Sequence, residues 1–243
     1  MLGLVVLSLG AAAPLIRSGA SLDEVLSALQ ERGKTMQDFT ADVTLSRVDQ
    51  ATADTSSDVG KIWFEQLAGG DGRIRVTFTQ ETRGDKTFGE KHEYTLANGW
   101  LIDRDYKNKD EVRRQVVAPG EKISLLKLGE GPFPLPIGQD PKTVRQDFDV
   151  SLVAAAKDDV PDTVHVLLKP KAGTELARKF STIDVWVDRQ TAMPVKISSL
   201  DSAGEEVQTA DLGNILLNQH LTDADFALPP VEGWDVTEEP YRP

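Results

Sequence analysis

The octapeptide RIRVTFTQ, residues 73–80, alternates polar and apolar side chains from Arg73 to Thr79. Ile74, Val76 and Phe78 fall on one face of an extended chain, whereas arginine and threonine side chains fall on the other. A two-residue period of this kind predicts a β-strand with one apolar face. The stretch therefore favours a sheet that buries one of its two faces.

The same alternation returns in TVHVLLK at 163–169, TIDVWVD at 182–188 and PVKIS at 194–198. Turn signals rich in glycine, asparagine and aspartate separate such runs at 69–72, 98–99, 188–191 and 201–204. Strands repeating about every ten residues predict an antiparallel meander, hence a sandwich or a barrel-like sheet. His165 lies on the polar side of its run and is expected to face solvent.

Composition excludes several kinds of partner. The 243-residue chain has 39 acidic and 27 basic residues and a formal charge of −12, which repels phosphate backbones and anionic headgroups. We therefore expect neither nucleic-acid binding nor peripheral membrane binding. The chain has no cysteine, which removes disulfides and thiolate metal sites.

The N-terminus has the features of an export signal. Residues 2–16 are apolar but are too short and too broken by Gly10 and Pro14 to span a bilayer stably. Small-residue cleavage sites follow at 11–13 and 18–20. The first would leave Pro14 at the new N-terminus, so we favour cleavage after Ala20. No basic residue precedes the apolar run, and an uncleaved anchor is the alternative.

The remaining chain, residues 21–243, is expected to form one domain. Its first element is a helix in SLDEVLSALQERGKTM, residues 21–36, where Ser21 and Glu24 form a capping box and Gly33 marks the end. A second helix-compatible stretch at 123–128 precedes GPFPLPIG at 131–138. The prolines of this run block a regular helix. It is either a lip over an apolar groove or a loop packed on the core.

No catalytic or metal-binding motif is present. His92, His165 and His220 are far apart, and no nucleophile elbow, phosphate loop or dinucleotide fingerprint occurs. The stretch DRDYKNKD at 103–110 lacks the glycine and the closing acid of a calcium loop, so we interpret it as a charged hairpin end. We predict no enzyme, no cofactor and no metal, and a periplasmic hydrolase ranks below a binding protein.

Several short motifs, in a fixed order, then point to a known family. They are FTAD at 39–42, GKIWF at 60–64, NGW at 98–100, KPK at 169–171, the hairpin from Asp188 to Pro194, the stretch around Asn214 and Asn218, and Phe226 followed by PP at 229–230 and GWDV at 233–236. In this order they span most of residues 21–243. The chain resembles the outer-membrane lipoprotein carrier (LolA-like) family.

The resemblance implies an incomplete antiparallel β-barrel, with an N-terminal helix and a lid segment over its apolar concave face. It also implies a periplasmic, monomeric carrier of acylated lipoprotein or lipid. Such carriers receive cargo from an inner-membrane ABC transporter and pass it to an outer-membrane acceptor. The alternative is an envelope sensor or protein-binding module of the same fold. Family carriers latch the lid with an arginine that follows the tryptophan of the GKIWF strand, and Gln66 occupies that position here.

The candidate ligand-binding residues follow from the alternation and the resemblance together. The expected groove lining consists of the inward-facing apolar residues Ile62, Phe64, Ile74, Val76, Phe78, Val164, Val166, Leu168, Ile183, Val185 and Val187. The expected lid or rim consists of Leu125, Leu126, Phe133, Leu135, Ile137 and Gln66. A sandwich would bury the same groove residues in a solid core, and the alternation does not distinguish these two cases.

Overall fold

The computed structural model describes residues 13–67, 71–122, 125 and 137–241. The helices are α1 (Leu22–Thr35), α2 (Pro141–Asp147), α3 (Glu175–Lys179) and α4 (Asp223–Phe226). The strands are β1 (Asp38–Asp49), β2 (Thr55–Gln66), β3 (Gly72–Arg83), β4 (Lys86–Phe88), β5 (His92–Ala97), β6 (Trp100–Asp105), β7 (Asp110–Gln115), β8 (Phe148–Leu152), β9 (Thr163–Pro170), β10 (Phe180–Asp188), β11 (Pro194–Asp201), β12 (Glu206–Leu217) and β13 (Asp235–Glu239). The protein is thus mainly β, as the alternation predicts.

Helix α1 begins as the sequence predicts but ends later. The Ser21 side chain accepts a bond from the Glu24 backbone amide, and the Glu24 carboxylate accepts from Ser21, which completes the capping box. Gly33 lies inside the helix, not at its end, because its lack of a side chain serves packing. A Cβ at Gly33 would lie 2.1 Å from the Cα of Gly138.

In the described residues the strands form one sheet in the order β13-β7-β6-β5-β3-β2-β1-β12-β11-β10-β9-β8, with β4 paired to β3. Neighbouring strands are antiparallel except β13 and β7, which are parallel. The two ends of this order, β13 and β8, do not pair with each other, so the sheet is open. The predicted incomplete antiparallel barrel is confirmed at this level.

Two predicted turns are tight hairpin turns. Asn98 and Gly99, between β5 and β6, both have positive φ, 53° and 79°, as a two-residue hairpin turn requires. The charged stretch 103–110 forms the end of the β6–β7 hairpin. There the Asp105 carboxylate accepts bonds from the backbone amides of Lys107 and Asn108 at 2.9 and 3.0 Å.

One face of the sheet, here called the inner face, carries the alternating apolar residues and holds two buried clusters. The helix cluster combines side chains of α1 with inner-face residues of β9, β10 and β11, among them Val25, Leu26, Leu29, Val166 and Val185. The central cluster combines inner-face residues of β1, β2, β3 and β12 with Met36, Leu125 and Ile137. Apolar side chains thus cover the inner face along most of the sheet.

The other face, here called the outer face, is polar, yet His165 does not face solvent as expected. Its side chain is only 11% exposed. The imidazole stacks on Trp186 of the neighbouring strand at 4.1 Å, and its Nε2 lies 2.7 Å from Asp184 Oδ1. The expectation was wrong because alternation in one strand does not show which large side chain the adjacent strand supplies.

Candidate functional site

All eleven candidate lining residues are buried and face the inner side of the sheet, but they fall into two environments. Six belong to the helix cluster, where α1 packs directly on them; these are Val164, Val166, Leu168, Ile183, Val185 and Val187. The other five belong to the central cluster; these are Ile62, Phe64, Ile74, Val76 and Phe78. The strand register brings each set together across neighbouring strands, for example Val185 opposite both Ile197 and Val166.

An apolar cavity of about 230 Å³ adjoins the central cluster. Three candidate residues line it, Ile74, Val76 and Phe78, and the other lining residues are Leu45, Arg47, Tyr94, Leu96, Leu101 and Gln208. Ligand pockets usually measure about 300–1,000 Å³. The cavity is therefore large enough for part of an apolar chain and too small for several chains in this conformation.

A polar cavity, here called the mouth, adjoins the apolar cavity. This second cavity, of about 280 Å³, shares Arg47, Phe78 and Tyr94 with it and is otherwise lined mainly by charged side chains. Arg47 Nη1 lies 2.8 Å from Asp58 Oδ2 across the β1–β2 pair. His92 stacks on Tyr94 with ring centroids 4.6 Å apart. An apolar cavity beside a charged one suits a ligand that has one apolar end and one polar end.

The titratable groups at the mouth have shifted pKa values. Burial raises the pKa of Tyr94 to about 12, and the nearby Asp103 carboxylate adds to this, so the phenol stays neutral. Burial lowers the pKa of His92, but the hydrogen bond to Asp103 and the negative charges of Asp103, Asp105 and Asp58 together outweigh burial, and the net pKa is raised. His92 Nε2 lies 2.5 Å from Asp103 Oδ1. The mouth therefore gains positive charge at a higher pH than a free histidine would allow.

The candidate lid residues are only partly within the described ranges. Leu125 is 4% exposed and Ile137 is fully buried, and both pack in the central cluster. Leu126, Phe133 and Leu135 lie outside the described residues. Gln66 bonds to helix α1, where its Nε2 donates to the carbonyl oxygens of Gly33 at 2.8 Å and Met36 at 2.9 Å. Its role as a latch stays a prediction.

Sequence reasoning missed six of the nine residues that line the apolar cavity. Leu45, Tyr94, Leu96 and Leu101 line it but were not among the candidates. Tyr94 and Leu96 do alternate in HEYTLA, residues 92–97, so a shorter window would have found them. Leu101 and Ile102 are adjacent and both apolar, and such a pair does not reveal which residue faces inward.

The outer face carries a buried network of charges beneath the C-terminal segment, residues 219–239. Glu93 on β5 bonds to Arg75 at 2.5 Å and to Thr77 at 3.0 Å. Burial raises the pKa of Glu93, but hydrogen bonds from Tyr106, Arg75 and Thr77 and the positive charge of Arg75 together lower it to about 2. The carboxylate is therefore ionised at neutral pH.

A third cavity, of about 720 Å³, lies on the outer face between the sheet and the C-terminal segment. It is lined by apolar and charged side chains, including Trp100, Ile102, Arg113 and Leu228. Thr95 also lines it, and the buried Thr95 hydroxyl has no hydrogen-bond partner among the residues that the structure describes. In the described ranges no three histidine or acidic side chains are grouped so that they would hold a metal ion.

No protein-family model matches this sequence, and no curated protein matches it either. Solved structures do resemble the chain. An uncharacterized conserved protein from Thermus thermophilus aligns with a TM-score of 0.51 and 12% identity, over 89% of this chain and 98% of that one. LolA superfamily protein NE2245 from Nitrosomonas europaea aligns with a TM-score of 0.33 and 13% identity, over 89% and 99%. The MucA/MucB complex of Pseudomonas aeruginosa aligns with a TM-score of 0.44 and 14% identity, over 85% and 60%.

At 12% identity the likeness to the Thermus protein is one of fold alone. The open antiparallel sheet agrees with the incomplete barrel that the sequence resemblance implies. The described residues contain no helix with the length and apolar character needed to cross a membrane.

Proposed function

We propose that the protein works in the periplasm, where it binds the acyl chain of a lipoprotein or of another lipid and passes it towards the outer membrane. It acts by binding and without catalysis. The observation that carries the proposal is the apolar cavity on the inner face, which adjoins the charged mouth and shares three lining residues with it. Ile74, Val76 and Phe78, which the alternation singles out, line that cavity.

An acyl chain has to be transferred directly between the protein and its donor or acceptor, without passing through water. Burial of each methylene group contributes about 0.8 kcal/mol, so a long acyl chain would escape into water very slowly. Release therefore takes place onto a protein acceptor, and loading takes place from a membrane-bound donor such as an ABC transporter. The cavity must widen when cargo enters, because its volume of about 230 Å³ is below that of a usual ligand pocket.

The test is displacement of a fluorescent fatty acid from the purified protein. Leu101 and Ile102 provide a matched pair, because they are adjacent on β6 and half-buried, but Leu101 lines the inner cavity and Ile102 the outer one. Leu101→Trp fills the inner cavity and is expected to weaken fatty-acid binding about ten-fold, which corresponds to about 1.4 kcal/mol. Ile102→Trp is expected to leave the affinity unchanged.

Both variants are first compared with the unmodified protein by thermal unfolding, so that a folding defect is not mistaken for lost binding. Leu101→Met keeps the volume and apolar character of the side chain and is expected to retain affinity. It is the conservative variant at the same position, for use if Leu101→Trp does not fold. Absence of saturable binding at micromolar protein, or equal weakening by Leu101→Trp and Ile102→Trp, would contradict the proposal.

A second function, protein binding without lipid transport, is favoured by the outer-face cavity. Its size of about 720 Å³, its Trp100 and Arg113 side chains and the Thr95 hydroxyl, unpartnered within the described residues, suit a partner's side chains. Deleting the gene and measuring the distribution of lipoproteins between the two membranes separates the two functions. Unchanged lipoprotein sorting would favour the protein-binding function.

A further inference from the structure

The outer-face cavity has a buried hydroxyl on its wall that no hydrogen bond satisfies. Thr95 is 5% exposed and lines the cavity, and its Oγ1 has no hydrogen-bond partner among the residues that the structure describes. A buried polar group without a partner destabilises the fold, and native proteins leave few of them. A ligand in the cavity would supply the missing partner.

A second unsatisfied donor lies beside the first. Arg75 and Thr95 are directly opposite each other in the β3–β5 register, on the outer face. Arg75 donates from Nη1 to the Asp225 carbonyl oxygen at 3.1 Å and from Nη2 to Glu93 at 2.5 Å, whereas its buried Nε has no partner in the described ranges. A guanidinium Nε only donates hydrogen bonds, and a hydroxyl can donate as well. An acceptor oxygen is therefore the group that would satisfy both.

Most of the other side chains that line the cavity are apolar, and two of them are aromatic. Trp100 and Ile102 lie on the sheet, whereas Phe226 and Leu228 belong to the C-terminal segment. The volume of about 720 Å³ falls within the range of about 300–1,000 Å³ that is usual for small-molecule sites, which combine apolar walls with a few polar groups. Aromatic side chains of this kind stack on a flat apolar body.

The C-terminal segment is fastened to the sheet, so the cavity is formed before a ligand enters. Arg104 Nη1 donates to the carbonyl oxygen of Pro229 at 2.8 Å, and β13 pairs with β7. Arg113 Nη1 lies 3.2 Å from Glu238 Oε1. The charged side chains on the cavity wall thus have partners within the protein, which leaves the Thr95 hydroxyl and its neighbour Arg75 to bind a polar group of the ligand.

We propose that the outer-face cavity binds a small molecule that has a flat apolar body and ends in a carbonyl or carboxylate oxygen. The body packs against Trp100 and Phe226, and the oxygen accepts a hydrogen bond from Thr95 on the side of Arg75 Nε. Such a molecule would satisfy the two donors that the protein itself leaves unpaired in its described part.

This site is separate from the proposed acyl-chain site. Thr95 and Ile102 line the outer-face cavity, whereas their sequence neighbours Leu96 and Leu101 line the inner one. The inference therefore stands or fails apart from acyl-chain binding. A partner protein that inserts a side chain into the outer-face cavity would compete with the small molecule.

Equilibrium dialysis of the purified full chain against three naphthalene probes tests the ligand class. 2-Naphthoate carries a carboxylate, 2-acetylnaphthalene carries a neutral carbonyl, and 2-ethylnaphthalene has no acceptor. At least one of the first two is expected to bind ten-fold or more tightly than 2-ethylnaphthalene, because a site with buried donors rejects a molecule that cannot pair with them. Whichever probe binds more tightly identifies the oxygen as carboxylate or carbonyl. Equal affinity for all three, or no saturable binding of either acceptor probe, would overturn the proposal.

Substitutions then locate the binding. Thr95→Val keeps the shape of the side chain and is expected to weaken binding of the tighter acceptor probe about ten-fold without lowering Tm, because it removes an unsatisfied polar group. Thr95→Ser keeps the hydroxyl and should retain affinity. Ile102→Trp fills the outer-face cavity and should also weaken probe binding, whereas Leu101→Trp on the inner face should not. Equal affinities of Thr95→Val and Thr95→Ser, or weakening by Leu101→Trp and not by Ile102→Trp, would overturn the assignment of this site.

Discussion

The helix cluster and the central cluster lie on the same face of one sheet and consist of the same residue types, yet they differ in what covers them. Helix α1 packs Val25, Leu26 and Leu29 onto the helix cluster. At the central cluster, inner-face residues of β1, β3, β5 and β6 instead line a cavity of about 230 Å³. Alternation therefore identifies a buried face, and the covering element decides whether that face becomes core or cavity.

The side chains that the strands place on the inner face explain this difference. The buried inner-face positions of β9 and β10 are all aliphatic, so a helix can pack on them without leaving a polar group unsatisfied. Along β5 and β6 the inner face instead includes His92, Tyr94 and Asp103, with Arg47 opposite on β1. Charged and polar groups at this end need contact with water, and they keep the mouth of the cavity open.

The largest expected effect compares two isoleucines in the two clusters. Ile183→Ala in the helix cluster should lower the free energy of unfolding by about 2–5 kcal/mol, because it creates a cavity in a packed core. Ile74→Ala should cost less, about 1–3 kcal/mol, because that side chain already borders a cavity. Urea unfolding measures both values.

Fatty-acid affinity sharpens the same comparison. We expect Ile74→Ala to change the affinity, because it reshapes the inner cavity, and Ile183→Ala to leave it unchanged in protein that is still folded. Equal stability losses in the two variants, or a binding change at Ile183 alone, would show that the two clusters are not different environments.

A smaller effect concerns acid stability of the half of the sheet that carries the cavity. The pKa of Glu93 is lowered from 4.5 to about 2 in the folded protein, so its ionised form stabilises the fold above pH 4.5. That contribution is lost as the pH falls from 4.5 towards 2. Glu93→Gln should therefore lower the free energy of unfolding by about 2 kcal/mol at pH 7.

The pH series provides the control for this prediction. The difference between Glu93→Gln and the unmodified protein should shrink steadily from pH 4.5 to pH 2 in urea-unfolding measurements. A difference that stays constant over this range would mean that the charge of Glu93 does not contribute to the stability of the folded protein.

The sequence predicted the strands, the turns and the buried face because these depend on local patterns. The period of two in 73–80 and the Asn98-Gly99 turn each act over a few residues. The position of Gly33 inside α1 was not predictable, because it depends on Gly138, more than a hundred residues away. The short helices α2, α3 and α4 also escaped, since 4–7 residues give too little periodicity to detect.

The site was only partly predictable for a similar reason. Ile74, Val76 and Phe78 were found from their alternation, but the division of the candidate residues between core and cavity depends on where α1 packs. The mouth escaped altogether, because Arg47, Asp58 and His92 come from three separate strands and meet only after the sheet has formed. Charged residues in strands are usually solvent-facing, so no local signal marked them.

A crystal structure determined with a long-chain fatty acid present tests the central claim most directly. The account predicts an acyl chain between Leu45, Val76 and Leu101 on the inner face, with the carboxylate at the mouth near Arg47. The cavity should be wider than 230 Å³, and the helix cluster should be unchanged. A chain bound only in the outer-face cavity beside Thr95, or an inner cavity that stays empty at saturating fatty acid, would contradict the account.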